Sequence, residues 1–392
     1  MKILSVNAGS SSLKFQAFEM PEEKVLISGV FERIGVGSSF YTIKINGEKI
    51  KHEIELNNHK EAFEILVKEL LDNKIVNDLS EIKGIGHRVV QGGSHFDKTV
   101  VINDDVLSKI DESSPLAPLH NPASIIGIKA AMQVVPSAIQ TAVFDTAFHQ
   151  TIPEYNYLYA VPYEWYEKYK IRRYGAHGTS HKYVSERMNE ILGRTDTKII
   201  TCHIGNGASI SAVVNGKCIN TSMGLTPNAG VIMGTRSGDI DATIIPYIME
   251  VSGMSAKEVD NALNKQSGLL ALSHGKSDFR DINEGYDNGD KDCTLALKMY
   301  IRRVADYVAK YYVEMQGCDA ICLTAGVCEN ATLFRVKLLE ELKVLGIEID
   351  YDNIKIPGEE IKITTETSKI PCYIIPTNEE LMMARDTFAF LK

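Results

Sequence analysis

Two stretches of the chain share one pattern of apolar and polar positions. Residues 3–6 are an apolar run typical of a buried strand, and residues 13–17 alternate apolar and polar side chains as a second strand does. The polar turn between them, residues 7–12, reads N-A-G-S-S-S. The pattern predicts a β-hairpin whose loop offers backbone N–H groups and hydroxyls to an anion, although an ordinary turn of small residues has the same pattern.

The same design returns in the second half of the chain. Residues 198–214, K-I-I-T-C-H-I-G-N-G-A-S-I-S-A-V-V, again give an apolar strand, a glycine turn and an alternating strand. A repeated unit of this kind predicts an internal duplication with a phosphate-facing hairpin in each half. The identity between the two copies is low, so chance similarity is the competing interpretation.

Longer periodic segments predict the remaining elements. Apolar positions at helical spacing indicate helices over 60–71, 183–192, 255–264, 294–316 and 333–345, and T-N-E-E at 377–380 caps a last helix. Strand patterns cover parts of 25–54, then 82–90, 141–144, a strand from 320 and 374–376. Helices and strands mixed in this way predict the α/β class.

Composition narrows the function classes. The 392 residues carry a net charge of −9, which argues against a general nucleic-acid surface. Seven cysteines without a C-x-x-C pair indicate reduced thiols. Asn7 interrupts the first apolar stretch, and no apolar run reaches the ~18 residues of a membrane helix. We therefore expect a cytoplasmic protein that binds neither nucleic acid nor membrane.

Several charged residues stand where ligands are usually bound. Arg88 precedes two glycines, and Arg236 lies in the glycine-rich stretch M-G-T-R-S-G-D-I-D. Asp145 ends an apolar strand, the position at which open α/β sheets bind ligands. A solvated arginine or a helix N-cap aspartate is the alternative for each. His120 lies in a loop made rigid by two prolines.

His177 and His181 are four residues apart, so a zinc site has to be considered. The H-E-x-x-H pattern is absent, and Gly178 disfavours a helix there. We expect residues 179–180 to cap the helix 183–192. His181 is then structural, and His177 lies in the loop, free to meet a ligand.

Two further segments suggest nucleotide and metal chemistry. The strand from residue 320 ends in A-G-V-C-E-N, a turn at which a base or ribose could bind. The amide of Asn7 could help to hold a hydrated magnesium ion. Glu379 starts the last helix, and on spacing alone it is a carboxylate that interacts with the helix dipole.

Taken together, these motifs closely resemble those of the acetate kinase family. The resemblance rests on N-A-G-S-S-S-L-K, H-R-V-V-x-G-G, L-A-P-L-H-N-P, V-F-D-T-A-F-H, Y-G-x-H-G-T-S-H, H-I-G-N-G, M-G-T-R-S-G-D-I-D, T-A-G-V-x-E-N and P-T-N-E-E. They run in order from residue 3 to the C-terminus. The resemblance implies reversible, in-line transfer of a phosphoryl group from Mg-ATP to acetate, giving acetyl phosphate and ADP.

It also implies the duplicated actin-like, sugar-kinase-like fold (ASKHA, ribonuclease H-like). Each of its two domains has a mixed five-stranded sheet, with a central cleft between them. We expect an N-terminal domain at 1–150, with a helix at about 378–392 packing back onto it. The nucleotide-binding domain is then 151–377, and the protein is a homodimer.

The roles of individual residues follow from the resemblance alone. Asn7 and Glu379 match residues that lie near the magnesium ion, for which Mn²⁺ is an alternative. Ser10, Ser12 and Lys14 match the residues of the phosphate-binding loop. Arg88 and Arg236 match the residues that bind the acyl carboxylate and the phosphoryl group in transfer. His177 matches the residue that stabilises the transition state, with His120 and His203 nearby. Asp145 matches the essential acidic residue. The ATP site matches His203, Ile204, Gly205, Asn206 and Gly207; Asp278, Phe279 and Arg280; and Gly326, Val327, Cys328, Glu329 and Asn330. Because a carboxylate is ionised at pH 7 and needs no base, we expect Asp145 to orient an arginine or a metal-bound water.

The chain departs from the family pattern at three positions. Ala176 replaces an aromatic residue of the acyl pocket, whose other walls match Val90, Leu119 and Pro227. The smaller side chain predicts use of propionate or butyrate, at ~0.8 kcal/mol for each buried methylene, unless a neighbour refills the space. Gln91 replaces a histidine that makes an indirect contact. Cys328 replaces a glycine, which would either require a negative φ there or narrow the base pocket. Gly326 and Asn330 are retained, so ATP is still the expected nucleotide.

Three other functions remain as alternatives. A propionate or butyrate kinase would differ at the acyl pocket. An actin-like or chaperone-like ATPase would lack the two arginine loops at Arg88 and Arg236. A zinc hydrolase would use His177 and His181.

Overall fold

The computed structural model describes residues Met1–Lys392, which form two compact units. The first consists of Met1–Gln150 and Asn378–Lys392, and the second of Thr151–Thr377. Among the helices, none combines the length and apolar character needed to cross a bilayer.

The strands, in chain order, are β1 (Lys2–Ala8), β2 (Ser12–Glu19), β3 (Lys24–Glu32), β4 (Phe40–Ile45), β5 (Glu48–Glu53), β6 (Ile82–Val89), β7 (Val100–Val101), β8 (Ile139–Phe144), β9 (Lys198–Ile204), β10 (Ala208–Val214), β11 (Lys217–Thr221), β12 (Ala320–Thr324), β13 (Ile361–Lys362) and β14 (Cys372–Ile374). The helices are α1 (His59–Asp72), α2 (Asp104–Glu112), α3 (Asn121–Val134), α4 (Glu154–Tyr157), α5 (Tyr163–Tyr169), α6 (Gly178–Leu192), α7 (Ile244–Ser252), α8 (Ala256–Lys265), α9 (Gly268–Leu272), α10 (Phe279–Asp287), α11 (Lys291–Glu314), α12 (Ala325–Asn330), α13 (Thr332–Glu341) and α14 (Glu379–Phe388).

The two sheets share a five-stranded core. The sheet of the first unit has the order β5-β4-β3-β2-β1-β6-β8-β7, and that of the second has β11-β10-β9-β12-β14-β13. In both, a three-stranded antiparallel meander (β3-β2-β1 or β11-β10-β9) is followed by two strands parallel to its first strand. The predicted duplication is therefore confirmed. The predicted five strands are this shared core, to which β4, β5 and β7 add edge strands in one sheet and β13 in the other.

The first unit is completed by the end of the chain. Helix α14 packs on β1 and β6, where Gly84 and Gly86 leave room for its backbone. A Cβ atom at Gly86 would lie 2.5 Å from Thr387 Oγ1 and 3.2 Å from the carbonyl oxygen of Met383. This contact places the start of α14 beside the carboxyl ends of β6 and β8.

Helix α6 begins earlier than the sequence pattern predicts. Its first residue is Gly178, and His177 is the N-cap with a left-handed backbone (φ 58°). The expectation that Gly178 lies outside the helix is therefore wrong. A glycine costs only about 1 kcal/mol relative to alanine within a helix, because it loses more backbone entropy, and tertiary contacts outweigh a cost of this size.

Buried His87 on β6 makes the stability of the protein depend on pH. Its Nε2 lies 2.7 Å from Gln140 Oε1, and burial lowers its pKa to about 4, against ~6.5 in an unfolded chain. Between these two pH values the unfolded chain takes up a proton that the folded chain does not. The free energy of unfolding is therefore highest above pH 6.5 and falls towards pH 4, by about 3 kcal/mol in total. We expect the melting temperature of His87→Gln to fall less steeply over this range than that of the wild type. Calorimetry would measure this, with exposed His274→Gln as control, and equal slopes would contradict it.

Candidate active site

In the first unit, Arg88 and Asp145 form a bidentate ion pair. Arg88 lies on β6 and Asp145 directly follows the neighbouring parallel strand β8, so the two side chains meet at one edge of the sheet. Arg88 Nε donates to Asp145 Oδ1 at 3.2 Å and Nη2 donates to Oδ2 at 2.6 Å, and Asp145 is only 2% exposed. The aspartate raises the pKa of the Arg88 guanidinium above its usual value. Asp145 therefore fixes the orientation of an arginine that stays charged.

Glu379, the first residue of α14, belongs to a group of carboxylates beside this pair. Burial raises its pKa to about 7; nearby Arg88 opposes the rise, and Asp145 and Glu380 add to it. Lys14 forms an ion pair with Glu380, so its ammonium group already has a carboxylate partner. Ser10 is exposed in the loop between β1 and β2, and Ser12 is half-buried at the start of β2.

The residues of this region fit a hydrated magnesium ion. No group of three or more His, Cys, Asp or Glu side chains is arranged to chelate a metal. Mg²⁺ does not need such a group, since it keeps most of its waters and binds one or two protein oxygens. The half-buried Asn7 amide and the Glu379 carboxylate supply oxygen donors. Burial is the main cause that raises the pKa of Glu379, and a bound cation would stabilise the charged carboxylate against both burial and the smaller repulsion from Asp145 and Glu380.

In the second unit, His177 and Arg236 converge on the turn between β9 and β10. A Cβ atom built on Gly207 would lie 3.4 Å from His177 Nε2 and 3.6 Å from Arg236 Nη1. His177 Nδ1 lies 2.8 Å from Ser209 Oγ, and its ring stacks on His203 with centroids 4.1 Å apart. Two nitrogen-bearing side chains therefore face the same small space above a glycine.

Arg236 is a largely buried cation without an anionic partner. Its Nη1 donates to the carbonyl oxygen of Pro227 at 3.3 Å and lies 3.7 Å from Met233 Sδ. Burial alone lowers the pKa of the guanidinium, because no carboxylate compensates its charge. A buried charge of this kind is typical of a site completed by an anionic ligand.

The geometry of His181 argues against a zinc site. Its Nδ1 lies 2.7 Å from Thr201 Oγ1 and its Nε2 2.7 Å from Ser209 Oγ, so both ring nitrogens bond hydroxyls in the core. His181 is fully buried, as expected of a structural histidine. His120 and Leu119, by contrast, are exposed at the start of α3, and Val90 is half-buried.

A cavity of about 850 Å³ lies in the second unit beside the same turn. Of the residues matched to the ATP site, those lining it are Gly205, Asn206, Asp278, Phe279, Arg280, Gly326, Val327 and Asn330. Lining residues that sequence reasoning missed include Asn283, Asp287, Tyr300 and Thr332. Asn283 and Asp287 lie one and two helical turns beyond the segment 278–280 on α10, and Thr332 closely follows the motif that ends at Asn330, whereas Tyr300 on α11 has no motif near it in the sequence. The volume suits a ligand the size of a nucleotide.

Cys328 does not line this cavity, contrary to expectation. It is fully buried on α12, and its Sγ lies 3.7 Å from the carbonyl oxygen of Cys202 on β9. A helix places residues 326, 327 and 330 on the cavity side and residue 328 on the opposite side. Narrowing of the base pocket by this cysteine is therefore not found. Ile204 is also buried in the core and does not line the cavity.

Gly326 offers a direct test of the cavity. No atom lies within 4 Å of a Cβ built on it, so the Cβ of Gly326→Leu would enter open space and the rest of its side chain would extend into the cavity. We expect this variant to raise the dissociation constant for ADP about tenfold or more, because its side chain overlaps the ligand. Calorimetric titration measures the change, with the melting temperature as control for the fold. An unchanged dissociation constant would mean that the nucleotide binds elsewhere.

Comparisons with known proteins agree with this architecture. The model of the acetokinase family matches residues 2–385. An acetate kinase of Bacillus cytotoxicus is 53% identical over 387 residues, 98% of each chain. The crystal structure of an acetate kinase from Porphyromonas gingivalis aligns with a TM-score of 0.95 at 43% identity, covering all of both chains. A propionate kinase from Francisella tularensis aligns with a TM-score of 0.94 at 45% identity, covering 99% of both. The chain therefore belongs to the acetokinase family.

Proposed function

We propose that this protein is an acetate kinase, which transfers the γ-phosphoryl group of Mg-ATP to acetate and forms acetyl phosphate and ADP, reversibly. One observation carries the proposal. Gly205 and Asn206 line the large cavity, and the next residue, Gly207, lies between His177 and Arg236. A nucleotide in the cavity would thus present its phosphates at the turn where an unpaired arginine and a histidine converge.

The chemistry requires charge neutralisation more than proton transfer. Acetate is ionised at neutral pH, so a carboxylate oxygen attacks the γ-phosphorus directly while the bond to the bridging oxygen of ADP breaks. The obstacle is the approach of one anion to another. Arg236 and His177 neutralise the phosphoryl oxygens, and Arg88, held by Asp145, binds the acyl carboxylate.

Asn7 and Glu379 are the residues proposed to hold magnesium. When bound, the ion neutralises charge on the phosphates of the nucleotide. A titration of the protein with Mg²⁺ and ADP would test the assignment. ADP affinity that gains as much from magnesium in Glu379→Gln as in the wild type would overturn it.

The proposed role for Arg88 separates this function from that of an actin-like ATPase. Both reactions require neutralisation of the phosphoryl oxygens, but water brings no negative charge, so an ATPase has no need for a second arginine that binds an acyl carboxylate. We therefore expect ATP turnover to depend on an added carboxylate. ATP hydrolysis at an equal rate without acetate would support the ATPase.

Ala176 bears on the choice of acid. Only 5% of its surface is exposed, and it belongs to the apolar core of the second unit. This burial supports the interpretation that neighbours have refilled the space of the missing ring, and hence acetate over longer acids. The similarity to a propionate kinase keeps propionate as the second candidate.

The test is acyl phosphate formation from Mg-ATP, trapped as the hydroxamate, with acetate, propionate and butyrate. The proposal expects the highest kcat/KM for acetate and little change in that order for Ala176→Phe. Preference for a longer acid, reversed by Ala176→Phe, would favour the second candidate. No acyl phosphate from any of the three acids would refute both.

We also propose a homodimer, with helix α7 at its interface. None of the residues of α7 is buried, and its exposed apolar side chains include Ile244 (47%), Tyr247 (66%) and Val251 (58%). Glu250 is its only charged residue. An apolar helix left uncovered in this way is typical of a surface that a second copy covers.

We expect the wild type to have the mass of two chains in light scattering, and Tyr247→Glu/Val251→Glu that of one chain, because the new charges would be desolvated at the interface. Val344→Glu, at a 90% exposed valine elsewhere in the second unit, is the matched control and should remain dimeric. A monomeric wild type would refute the homodimer.

A cytoplasmic location is proposed as well, supported by seven cysteines, none of which forms a disulfide.

A further inference from the structure

The carboxylate of Glu329 makes contacts that its place in the nucleotide turn does not suggest. Glu329 lies on α12 among residues that line the cavity, but it does not line the cavity itself. Its Oε1 accepts hydrogen bonds from the backbone N–H of Ala325 at 2.7 Å and from that of Thr377 at 3.2 Å. Glu329 therefore joins the start of α12 to the last residue of the second unit.

From Thr377 the contacts continue to the histidine proposed to act in catalysis. Thr377 Oγ1 lies 2.8 Å from Ser180 Oγ, and Ser180 Oγ lies 2.8 Å from His203 Nδ1. The ring of His203 stacks on that of His177 at 4.1 Å. Ser180 is fully buried in the first turn of α6, so its hydroxyl bridges the two groups within the core.

The backbone at the start of α12 needs such support. Ala325 has a left-handed conformation (φ 69°), which residues other than glycine avoid, and the carboxylate of Glu329 holds its N–H. The other end of the helix is held by buried Arg335, which donates to the carbonyl oxygens of Cys328 at 3.0 Å and Glu329 at 2.8 Å. Charged side chains thus fix α12 at both ends.

We propose that Glu329 and Ser180 are positioning residues that set the place of the nucleotide turn relative to His177. Because α12 lines the nucleotide cavity and His177 faces Gly207, the chain of contacts determines how the phosphates meet the histidine. Glu329 then acts without touching the nucleotide. The inference rests on the proposed function and deepens it, since it names the contacts that align the two substrates' reacting groups.

The experiment is a double-mutant cycle on the intact protein. Glu329→Met removes the acceptor oxygens and keeps the length of the side chain, and Ser180→Ala removes the bridging hydroxyl. We expect each to lower kcat about tenfold while the dissociation constant for ADP changes less than about twofold. We expect the double variant to be no slower than the slower single variant, because both changes break one chain of contacts.

Two controls accompany the cycle. Glu329→Gln keeps an oxygen that accepts from both N–H groups and should retain most of the wild-type kcat. Ser255→Ala changes an exposed N-cap serine on α8, outside the network, and its effect should multiply with that of Glu329→Met. If Glu329→Met does not fold, a cycle of Thr377→Val with Ser180→Ala gives the same test. Thr377→Val removes the threonine hydroxyl that contacts Ser180 and keeps the backbone N–H that Glu329 binds.

The outcomes are distinct. A weaker affinity for ADP with unchanged kcat would make Glu329 a nucleotide ligand and overturn the proposal. A lower melting temperature with unchanged kinetics would make the network merely structural, and effects that multiply within the cycle would show that the two residues act independently. A wild type that makes no acyl phosphate would refute the proposed function itself, before any variant is compared.

Discussion

Gly207→Ala is expected to lower kcat for acetyl phosphate formation about 100-fold. The added methyl group would lie 3.4 Å from His177 Nε2 and 3.6 Å from Arg236 Nη1, in the space where both side chains would meet the phosphoryl oxygens. These are ordinary contact distances, and the backbone of Gly207 is not left-handed, so the variant should fold normally. Steady-state kinetics in both directions and the melting temperature measure the two effects.

Gly326→Ala is the matched control for this experiment. It adds the same methyl group to the nucleotide cavity, in a position with no atom within 4 Å. Its effect should appear mainly in the KM for ATP, whereas that of Gly207→Ala should appear in kcat. If Gly207→Ala kept kcat within about twofold, the phosphoryl group would not pass between His177 and Arg236.

The second large effect is expected for Asp145→Asn. The change keeps the shape of the side chain but removes the charge that holds the Arg88 guanidinium in its bidentate pair. A misplaced arginine should lower kcat/KM for acetate about 100-fold. The pH profile should keep any basic limb that the wild type has, because Asp145 orients a cation and removes no proton.

Arg88→Lys is the comparison that separates charge from orientation. It keeps the positive charge but cannot form the planar, two-bond contact with Asp145, so a large loss in this variant would point to geometry. Loss of the basic limb in Asp145→Asn would identify the aspartate as a base and contradict the proposed role. Full activity in Asp145→Asn would remove the ion pair from the mechanism.

The order of apolar and polar residues along the chain was sufficient to predict the strands of the two hairpins and the fold class. Apolar runs specified β1 and β9, alternating apolar and polar positions specified β2 and β10, and the repetition of this unit correctly predicted the duplicated α/β fold. The positions of Arg88 and Asp145 at the ends of strands were also readable. Their pairing was not, because it depends on which strands are neighbours in the sheet, and residues 57 positions apart carry no local sign of contact.

The errors have the same physical origin. The start of α6 depends on tertiary contacts that hold His177 in a left-handed conformation, and helix propensity opposes it there. The side chain of Cys328 points away from the cavity because residues 325–330 form the short helix α12, where the sequence pattern indicated a turn. Helix α7 escaped notice because an apolar segment that stays exposed looks like one that is buried. The roles proposed for the individual residues of the site remain predictions.

Helix α14 has a consequence for how the protein is made. The first unit begins at Met1, but its last helix, which carries Glu379, follows the whole second unit in the chain and therefore leaves the ribosome after it. At ~5–20 residues per second, the sheet of that unit waits on the order of ten seconds or more, while the whole second unit is synthesised, before α14 can cover β6. A chain released before α14 is made therefore yields a first unit without the carboxylate proposed to hold magnesium. Because the first unit is completed only after the second has been synthesised, we expect products that lack α14 to be both incompletely folded and inactive.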